Sequence, residues 1–381
     1  MSQRPSSASR QIIIVGGGPS GAMAAWRLAQ ARKDVLLLEA KSFPRFKPCA
    51  GWVTPKALAT LEIDPLTYPH LLIPISQVAI ALDGDLLVTS WPQPVSYGVL
   101  RSELDDFLLK RARAAGADVR FGQRVDRVEW LGSRVSLQVG DEHWISEQVI
   151  GAGGSSCPVA RAVEGRSLWK HRPMVAAIMS ESPVGASRLL ESSLGTGMPV
   201  LFPEPECDGY GWYFAKGDFL NLGVGALLAG GLAIPQRHKR FLQSLARDGT
   251  LPDSWTLSPF VGHSYAVWRG RRTHPAGPHY LLTGDAAGLA HDFSGEGIGP
   301  AALSGSLAAA ALIHPDSVRG YQDYNRRIAL IQGNGPLVRT GAWVEKWPLF
   351  VRRKLLARLC RHPWTRRRWI LEGAFLHGLE P

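Results

Sequence analysis

The first residues whose spacing suggests chemistry form a glycine-rich turn after a short apolar strand. Four β-branched residues at 12–15 lead into a GxGxxG turn made of Gly16, Gly18 and Gly21. The first glycine permits a tight turn, the second lets the backbone approach a pyrophosphate, and the third allows the following helix to pack on the strand. The spacing predicts a site for the phosphates of a dinucleotide at a helix start.

A carboxylate follows at the distance expected for the ribose of the same nucleotide. After the glycine turn a helix runs to about Ala31, and a second apolar strand at 35–38 ends at Glu39. An acid about twenty residues past the glycines accepts the ribose hydroxyls in such units. Strand, turn, helix, second strand and acid together predict the adenosine half of a dinucleotide site, but they do not choose between NAD and FAD.

A second glycine-rich motif lies late in the chain. The apolar strand at 279–283 ends in Gly284 and Asp285, and the segment 295–299, Gly-Glu-Gly-Ile-Gly, precedes an alanine-rich helix. Backbone N–H groups at a helix start, with the positive end of the helix dipole, favour negative charge on a bound ligand. The alternative for an isolated Asp285 is a helix N-cap.

This second motif resembles that of the flavoprotein class that includes aromatic hydroxylases, tryptophan halogenases and geranylgeranyl reductases. The resemblance implies FAD, with Asp285 holding a ribityl hydroxyl and 295–299 lying against the isoalloxazine ring. In the same class an arginine that matches Arg101 touches FAD; the alternative is a cation at the start of a surface helix. Where many members carry an aspartate near FAD, this chain has Gly153, so backbone must substitute for that contact.

Two segments narrow the resemblance to the geranylgeranyl reductase family. Residues 43–51, FPRFKPCAG, are similar to that family's FPRxKPCGG segment beside the flavin, and 210–225 are similar to its YxWxFPKG…NVGxG strand pair. Ala50 and Ala215 depart from the family pattern. The resemblance implies hydride transfer from reduced flavin to a carbon–carbon double bond of an isoprenoid or other long apolar substrate. Halogenation is disfavoured because the WxWxIP signature is absent, whereas an aromatic or lipid monooxygenase remains the alternative.

The substrate pocket and the proton donor follow from these segments. On a strand, Tyr210, Trp212 and Phe214 share one face, which forms either a pocket wall or ordinary sheet core. Cys49 and His291 are the candidate catalytic proton donors, and Cys49 alternatively fills space as a small buried residue. The residues predicted to contact FAD are Gly16, Gly18, Ser20, Gly21, Glu39, Ala40, Arg45, Cys49, Ala50, Arg101, Gly153, Gly284, Asp285, Gly295, Gly297 and Ile298.

The elements that position these residues define an α/β fold. We expect a Rossmann-type, glutathione reductase-like FAD-binding domain with an inserted antiparallel-sheet substrate domain and a helical C-terminal segment. A chain of 381 residues is long enough for two such lobes. The predicted division is a disordered N-terminus at 1–10, an FAD-binding domain at 11–75, 98–160 and 275–340, a substrate domain at 76–97 and 161–274, and a basic segment at 341–381.

Charge and composition bound the partners. The net charge is +11. The segment from Arg339 onward contains ten basic residues, three acidic residues and four tryptophans. A helix at 349–362 carries Lys354, Arg358 and Arg361 on one face, which predicts either an anionic membrane surface as partner or a helix packed on the FAD lobe.

Composition also sets expectations about compartment and reductant. The four cysteines contain no CxxC pair, so we expect reduced thiols and no metal site. The absence of a signal sequence favours a cytoplasmic protein, peripheral to the membrane if the basic segment binds lipid, and no nucleic-acid motif is present. No second complete GxGxxG motif follows a strand, so we expect NAD(P)H to visit transiently or an electron-carrier protein to supply electrons. The alternative to an enzyme is a non-catalytic, flavin-bearing module that binds lipid.

Overall fold

The computed structural model of the chain describes residues 7–170, 174–228, 233–267, 274–291, 293–333 and 347–376. The strands are β1 (Ser7–Val15), β2 (Val35–Leu38), β3 (Trp52–Val53), β4 (Leu72–Ile75), β5 (Gln77–Leu82), β6 (Asp85–Ser90), β7 (Ser96–Val99), β8 (Asp118–Arg120), β9 (Arg127–Leu131), β10 (Arg134–Val139), β11 (Glu142–Gly151), β12 (Met174–Pro183), β13 (Val200–Pro203), β14 (Gly209–Lys216), β15 (Phe219–Leu227), β16 (Val261–Ala266), β17 (Ala276–Gly277) and β18 (Tyr280–Leu282). The helices are α1 (Pro19–Gln30), α2 (Pro55–Leu61), α3 (Arg101–Ala114), α4 (Pro158–Lys170), α5 (Ala186–Glu191), α6 (Ile234–Arg247), α7 (Ile298–Ile313), α8 (Ser317–Gly333) and a C-terminal helix, Leu349–Arg361, which a π-helical segment, Arg366–Phe375, follows.

The first sheet has a parallel centre. Its strands run in the order β17-β18-β11-β1-β2-β8, and the hairpin β9–β10 joins at the side of β11. Every residue of β2 is buried, as expected for a strand covered on both faces. Helix α1 packs against both α3 and α7. It approaches α7 closely because both helices carry small residues at their contact. The sheet and these helices form the Rossmann-type α/β part of the fold.

The carboxyl ends of the parallel strands meet at one edge of this sheet. In register, Val15 lies beside Leu38 on one side and beside Gly151 on the other, and Gly151 lies beside Leu282. The turns that follow four different strands therefore emerge together. In open α/β sheets ligands bind outside this edge, which is where the two glycine-rich motifs of the sequence come together.

The second sheet is antiparallel except for one pair. Its order is β16-β12-β15-β14-β13-β5-β6, and only β13 and β5 pair in parallel within the described strands. Side chains of β14 alternate between two cores: Trp212 and Phe214 face one, and Tyr213 and Ala215 face the other. A small third sheet, β3-β7-β4, completes the strands of the described residues.

The chain becomes ordered earlier than the sequence indicates. Residues 7–10, which the sequence predicts to be unstructured, extend β1 and pair with the first half of β11. The Arg10 guanidinium forms ion pairs with Asp34 at 3.3 Å and Asp118 at 2.8 Å. Residues 7–10 are ordered because backbone pairing and ion pairs stabilise them. Neither kind of interaction leaves an apolar pattern in the sequence.

The C-terminal segment packs mainly on the second sheet. Cys360 is fully buried, and the buried Arg366 donates from Nε to Thr89 Oγ1 at 2.9 Å. Glu372 accepts a hydrogen bond from Trp91 Nε1 at 2.9 Å. The partners of these side chains lie on and just after β6, whereas contact with the predicted FAD lobe is made by Phe375, which packs on Trp52 and Phe293. No helix in the described ranges is long and apolar enough to cross a bilayer.

Candidate functional site

The β1–α1 turn leaves space where a phosphate would lie. Gly16 has φ +109°, and a Cβ there would lie 2.5 Å from the carbonyl oxygen of Ala152. A Cβ on Gly21 would collide with the Gly16 carbonyl, so both positions need glycine for close packing. A Cβ on Gly18 would meet no protein atom within 4 Å. The open space at Gly18 lies at the start of α1, the kind of position where helix N-termini bind anions.

Glu39 faces the same turn. Its side chain is buried, and its two carboxylate oxygens accept hydrogen bonds from the backbone N–H groups of Gly17 at 2.6 Å and Lys41 at 2.8 Å. The carboxylate is thereby held at the end of β2. Each oxygen keeps a second lone pair for a ligand hydroxyl, so the geometry is compatible with the predicted contact to ribose.

A buried aspartate organises two arginines at the next part of the cavity. Asp105 accepts two hydrogen bonds of 2.8 Å from Arg101 and forms an ion pair of 3.1 Å with Arg45. The Arg45 Nη1 atom is buried and has no hydrogen-bond partner among the described residues. An unpaired buried donor of a guanidinium is costly, and a phosphate or carboxylate oxygen of a ligand would satisfy it. The site therefore fits an anionic cofactor.

The second glycine motif faces this region across the cavity. Burial raises the pKa of Asp285, although Lys47 and Arg101 partly oppose the shift. Gly295 has φ +71°, and a Cβ there would collide with the Tyr265 hydroxyl. Gly297 caps the start of α7, and Gly295 and Gly297 bring bare backbone to the cavity between the side chains of the motif. Such a surface admits a flat ring system.

Glu296, within this motif, carries a proton more readily than an ordinary glutamate. Burial raises its pKa to about 7, although its carboxylate accepts the Gly299 N–H at 2.7 Å. The folded protein therefore holds this proton more tightly than the unfolded chain does. The resulting stabilisation is complete below the ordinary pKa of 4.5 and is lost as the pH rises through about 7.

Replacing Glu296 with glutamine should remove this pH dependence. We expect the melting temperature of the wild-type apoprotein to fall relative to that of Glu296→Gln between about pH 5 and about pH 8, because only the wild type must ionise a buried group. Thermal unfolding of both proteins across this range measures the difference. Two parallel curves would show that the carboxyl titrates as it does in the unfolded chain.

Lys47 and His263 meet at the cavity from different elements. The Lys47 Nζ and His263 Nε2 atoms are 2.7 Å apart, which joins the loop after β2 to β16. Burial lowers the pKa of His263 to about 3, with a further lowering by the positive charges of Lys47 and Arg101. Burial, helped by Arg101, lowers the pKa of Lys47 to about 8. At neutral pH the ammonium therefore donates to a neutral imidazole.

Aromatic side chains form the other end of the cavity. Tyr210, Trp212 and Phe214 lie on one face of β14 and line it, as their spacing predicts. Two further walls come from Trp52, whose ring centroid is 6.2 Å from that of Phe214, and from Phe375 of the π-helical segment, 5.2 Å from Tyr210. The Tyr210 hydroxyl donates to the carbonyl of Ser294, so this wall contacts the second glycine motif.

A single cavity of about 860 Å³ joins these parts. The predicted residues that line it are Gly16, Gly18, Ser20, Glu39, Ala40, Arg45, Cys49, Ala50, Arg101, Gly153, Tyr210, Trp212, Phe214, Gly284, Asp285, Gly295, Gly297 and Ile298. Gly21 is not among these lining residues and packs instead against the carbonyl of Gly16 in the same turn. His291 is half-buried and is not among the described residues that line the cavity, so its catalytic role stays a prediction.

Sequence reasoning missed Trp52, Phe375, Lys47 and His263. Lys47 belongs to the KPC segment, where its charge fits a solvated loop or a phosphate contact equally well and does not indicate His263 as a partner. For Phe375 the chain offers no local signal, because the residues it touches are more than eighty positions away. Trp52 and His263 lie on strands whose pattern gives no hint of a site.

The fold and the site define a dinucleotide-binding oxidoreductase of the flavoprotein class. Residues 14–46 match the family model of the NAD(P)-binding Rossmann-like domain. A menaquinone reductase from Mycobacterium tuberculosis is 32% identical over 332 residues, which cover 82% of this chain and 78% of the relative. A geranylgeranyl diphosphate reductase from Rhodobacter capsulatus is 28% identical over 78% of this chain and 74% of the relative.

A solved structure shows the same fold over nearly the whole chain. The crystal structure of a geranylgeranyl bacteriochlorophyll reductase-like protein from Thermoplasma acidophilum superposes with a TM-score of 0.70 at 18% identity, covering 95% of this chain and 99% of the other. The chain belongs to the geranylgeranyl reductase family of flavoprotein oxidoreductases, which includes the menaquinone reductases. It is therefore an enzyme and not a non-catalytic lipid-binding module.

Proposed function

We propose that the protein binds FAD along the cavity and reduces carbon–carbon double bonds of an isoprenoid chain held at the aromatic end. The observation that carries the proposal is the continuity of the cavity, from the open phosphate position at Gly18 to the aromatic wall at Tyr210 and Trp212. The names of the relatives, a menaquinone reductase and a geranylgeranyl diphosphate reductase, support a prenylated substrate.

The choice of FAD rests on the second half of the site. The matched Rossmann-like unit at 14–46 is common to proteins that bind NAD and proteins that bind FAD. Asp285 and the glycine turn at 295–299 lie across the cavity from that unit, where a ribityl chain and a ring system would extend from the pyrophosphate. A nicotinamide dinucleotide has no need for this second motif.

In the proposed reaction the chain positions the substrate, excludes water from the cavity and supplies a proton. When bound, FAD supplies the hydride that adds to one carbon of the double bond. Trp52, Tyr210 and Phe375 would hold the apolar chain and exclude water, which matters because an alkene offers little charge to bind. The Cys49 thiol and the Lys47 ammonium border the same cavity, and either holds a proton for the second carbon.

The test is a reduction assay with product mass spectrometry. We expect protein reduced under anaerobic conditions to add pairs of hydrogen atoms to a polyprenyl quinone or to geranylgeranyl diphosphate, and acid denaturation to release FAD. Oxygen-dependent hydroxylation of the substrate would establish a monooxygenase instead. Release of FMN or NAD would contradict the proposed cofactor.

The proposed reaction also needs a reductant for the flavin and a division of roles between the two parts of the chain. We expect either NAD(P)H, visiting transiently, or an electron-carrier protein to reduce the flavin, and bleaching of the flavin absorbance under nitrogen distinguishes them. The residues at 76–97 and 161–274, which include all seven strands of the second sheet, would act as the substrate domain. The rest of the chain up to 340 would then hold the cofactor.

The C-terminal segment would bring the cavity to a lipid surface. Trp364 and Trp369 are 56% and 49% exposed and pack on each other, and Phe350 is 64% exposed. Lys354 and Arg358 are also exposed, whereas Arg361 is engaged by Asp83 and Asp85. Exposed tryptophans favour the headgroup region, and each free cation near an anionic surface adds roughly 1 kcal/mol.

Flotation with liposomes tests this surface. We expect the wild type to float with anionic vesicles at low salt and a Trp364→Ala/Trp369→Ala variant to stay at the bottom. Point variants are the right tools, because truncating the segment would also remove Phe375 from the cavity wall. A Trp130→Ala variant, which changes an exposed tryptophan on β9, serves as the control and should float like the wild type. Wild-type protein that does not float would end the proposal.

A further inference from the structure

A buried ammonium group holds the turn that carries Cys49. Lys216, at the end of β14, is fully buried, and its Nζ donates to the carbonyls of Ala50 at 2.9 Å and Val99 at 2.8 Å. Its third hydrogen bond, of 2.6 Å, goes to Glu181 Oε2 on β12. An ammonium has three donors, so each of them is used. The group thus connects the second sheet with the Cys49 turn and with the end of β7.

Asn221, on the neighbouring strand β15, forms a second clamp on the same turn. Its Nδ2 donates to the Cys49 carbonyl and to Glu181 Oε2, both at 2.9 Å. Its Oδ1 accepts from Trp212 Nε1 at 2.8 Å, so the amide orientation is fixed by a residue of the aromatic wall. Glu181 therefore joins Lys216 and Asn221 into one buried network beneath the turn.

The packing leaves these groups little freedom. A Cβ on Gly51, which has φ +68°, would lie 2.7 Å from Lys216 Nζ, and a Cβ on Gly98 would lie 3.1 Å from Lys216 Cγ. Burial lowers the pKa of Lys216, and Glu181 opposes that shift. Well-packed apolar residues are often as stable as a buried ion pair, so stability alone does not account for charges at this position.

We propose that Lys216 and Asn221 are positioning residues that set the backbone of the Cys49–Gly51 turn and thereby aim the Cys49 thiol into the cavity. Within the turn, the Gly51 N–H donates to Cys49 Sγ at 3.3 Å, and Arg101 also hydrogen-bonds the Cys49 side chain, so the backbone of the turn and Arg101 together set the direction of the thiol. The importance of this aim for turnover rests on the proposed function. The aim itself does not, because thiol reactivity can be measured without substrate.

The experiment measures the rate at which N-ethylmaleimide labels Cys49 in the folded protein. A Cys207→Ser background leaves Cys49 as the accessible thiol, since Cys157 and Cys360 are buried. In the double variant Lys216→Met/Glu181→Leu both charges are replaced by apolar groups, so no buried charge is left unpaired. We expect it to fold, with a lower melting temperature because the Ala50 and Val99 carbonyls lose their donor, and to be labelled at least tenfold faster because the turn is no longer held.

The controls separate positioning from folding. Lys56→Met removes an exposed lysine and should label like the parent. If the double variant does not fold, Asn221→Leu, which removes no charge, decides the question by the same measurement. Labelling within twofold of the parent in a folded variant would overturn the proposal. A changed labelling rate with no reduction of any prenylated substrate would instead sustain the positioning role and remove the proposed function.

Discussion

Valine in place of Gly18 is expected to abolish flavin binding while the apoprotein keeps its fold. The position has φ −72°, which any residue adopts, and a side chain there enters space that no protein atom occupies. That space is where the dinucleotide phosphates must approach the backbone. We expect affinity for the flavin to fall by at least about 100-fold, measured by titration of apoprotein. The melting temperature should fall only slightly, because valine is a poorer N-cap by roughly 1 kcal/mol.

Gly21→Val provides the contrast. Its side chain would collide with the Gly16 carbonyl, so this variant should lose stability in the absence of any ligand. The pair therefore separates a glycine required by a ligand from a glycine required by packing. Full flavin occupancy in Gly18→Val would contradict the placement of the phosphates at this turn.

Phe375→Ala should weaken productive binding of the substrate by about tenfold to 100-fold in kcat/KM. The ring closes the aromatic end of the cavity, and burying such a side chain against an apolar ligand contributes about 1.5–3 kcal/mol. We expect the loss chiefly in KM, because under the proposed function the ring would touch the chain of the substrate and not the reacting atoms. Flavin content should stay unchanged, since the ring of Phe375 packs on Trp52, Tyr210 and Phe293 rather than on the glycine turn that carries Gly18.

Phe350→Ala is the matched control. This phenylalanine belongs to the same C-terminal segment but is 64% exposed and does not line the cavity. It should leave kcat/KM unchanged for a substrate presented in detergent. Equal losses in both variants would indicate that the segment acts through its general packing and not through a wall of the cavity.

Local patterns allowed the Rossmann-type unit to be predicted. The strand, glycine turn, helix, second strand and Glu39 are contiguous, so one stretch of sequence contains all the geometry that the unit needs. The C-terminal helix was also predicted to within one residue, because Pro348 and Pro363 bound a periodic segment. The family and the enzyme class, inferred by resemblance, are confirmed by the relatives.

Long-range contacts could not be predicted in the same way. Lys216 lies 166 residues from Ala50 and 117 residues from Val99, and a lysine at a strand end ordinarily indicates a solvated surface. The docking of the C-terminal segment depends on Trp91 and Thr89, single residues in an otherwise ordinary hairpin. Nothing in their neighbourhood along the chain distinguishes them, so only the folded arrangement reveals their partners.

The bonds from Lys216 and Asn221 to the Cys49 turn also restrict how a substrate can enter the cavity. Swinging the second sheet away from the turn would break the hydrogen bonds from Lys216 to Ala50 and Val99 and from Asn221 to Cys49, at a net cost of about 1 kcal/mol or more for each. A hinge between the two halves is therefore a poor route of entry. The π-helical segment that carries Phe375 has an exposed outer face at Arg367, Arg368 and Trp369, and we expect the substrate to enter by displacement of its inner face from the aromatic end. We expect chain length and release of the saturated product to be governed there, so that the traffic of the substrate is controlled far along the chain from the residues that perform its chemistry.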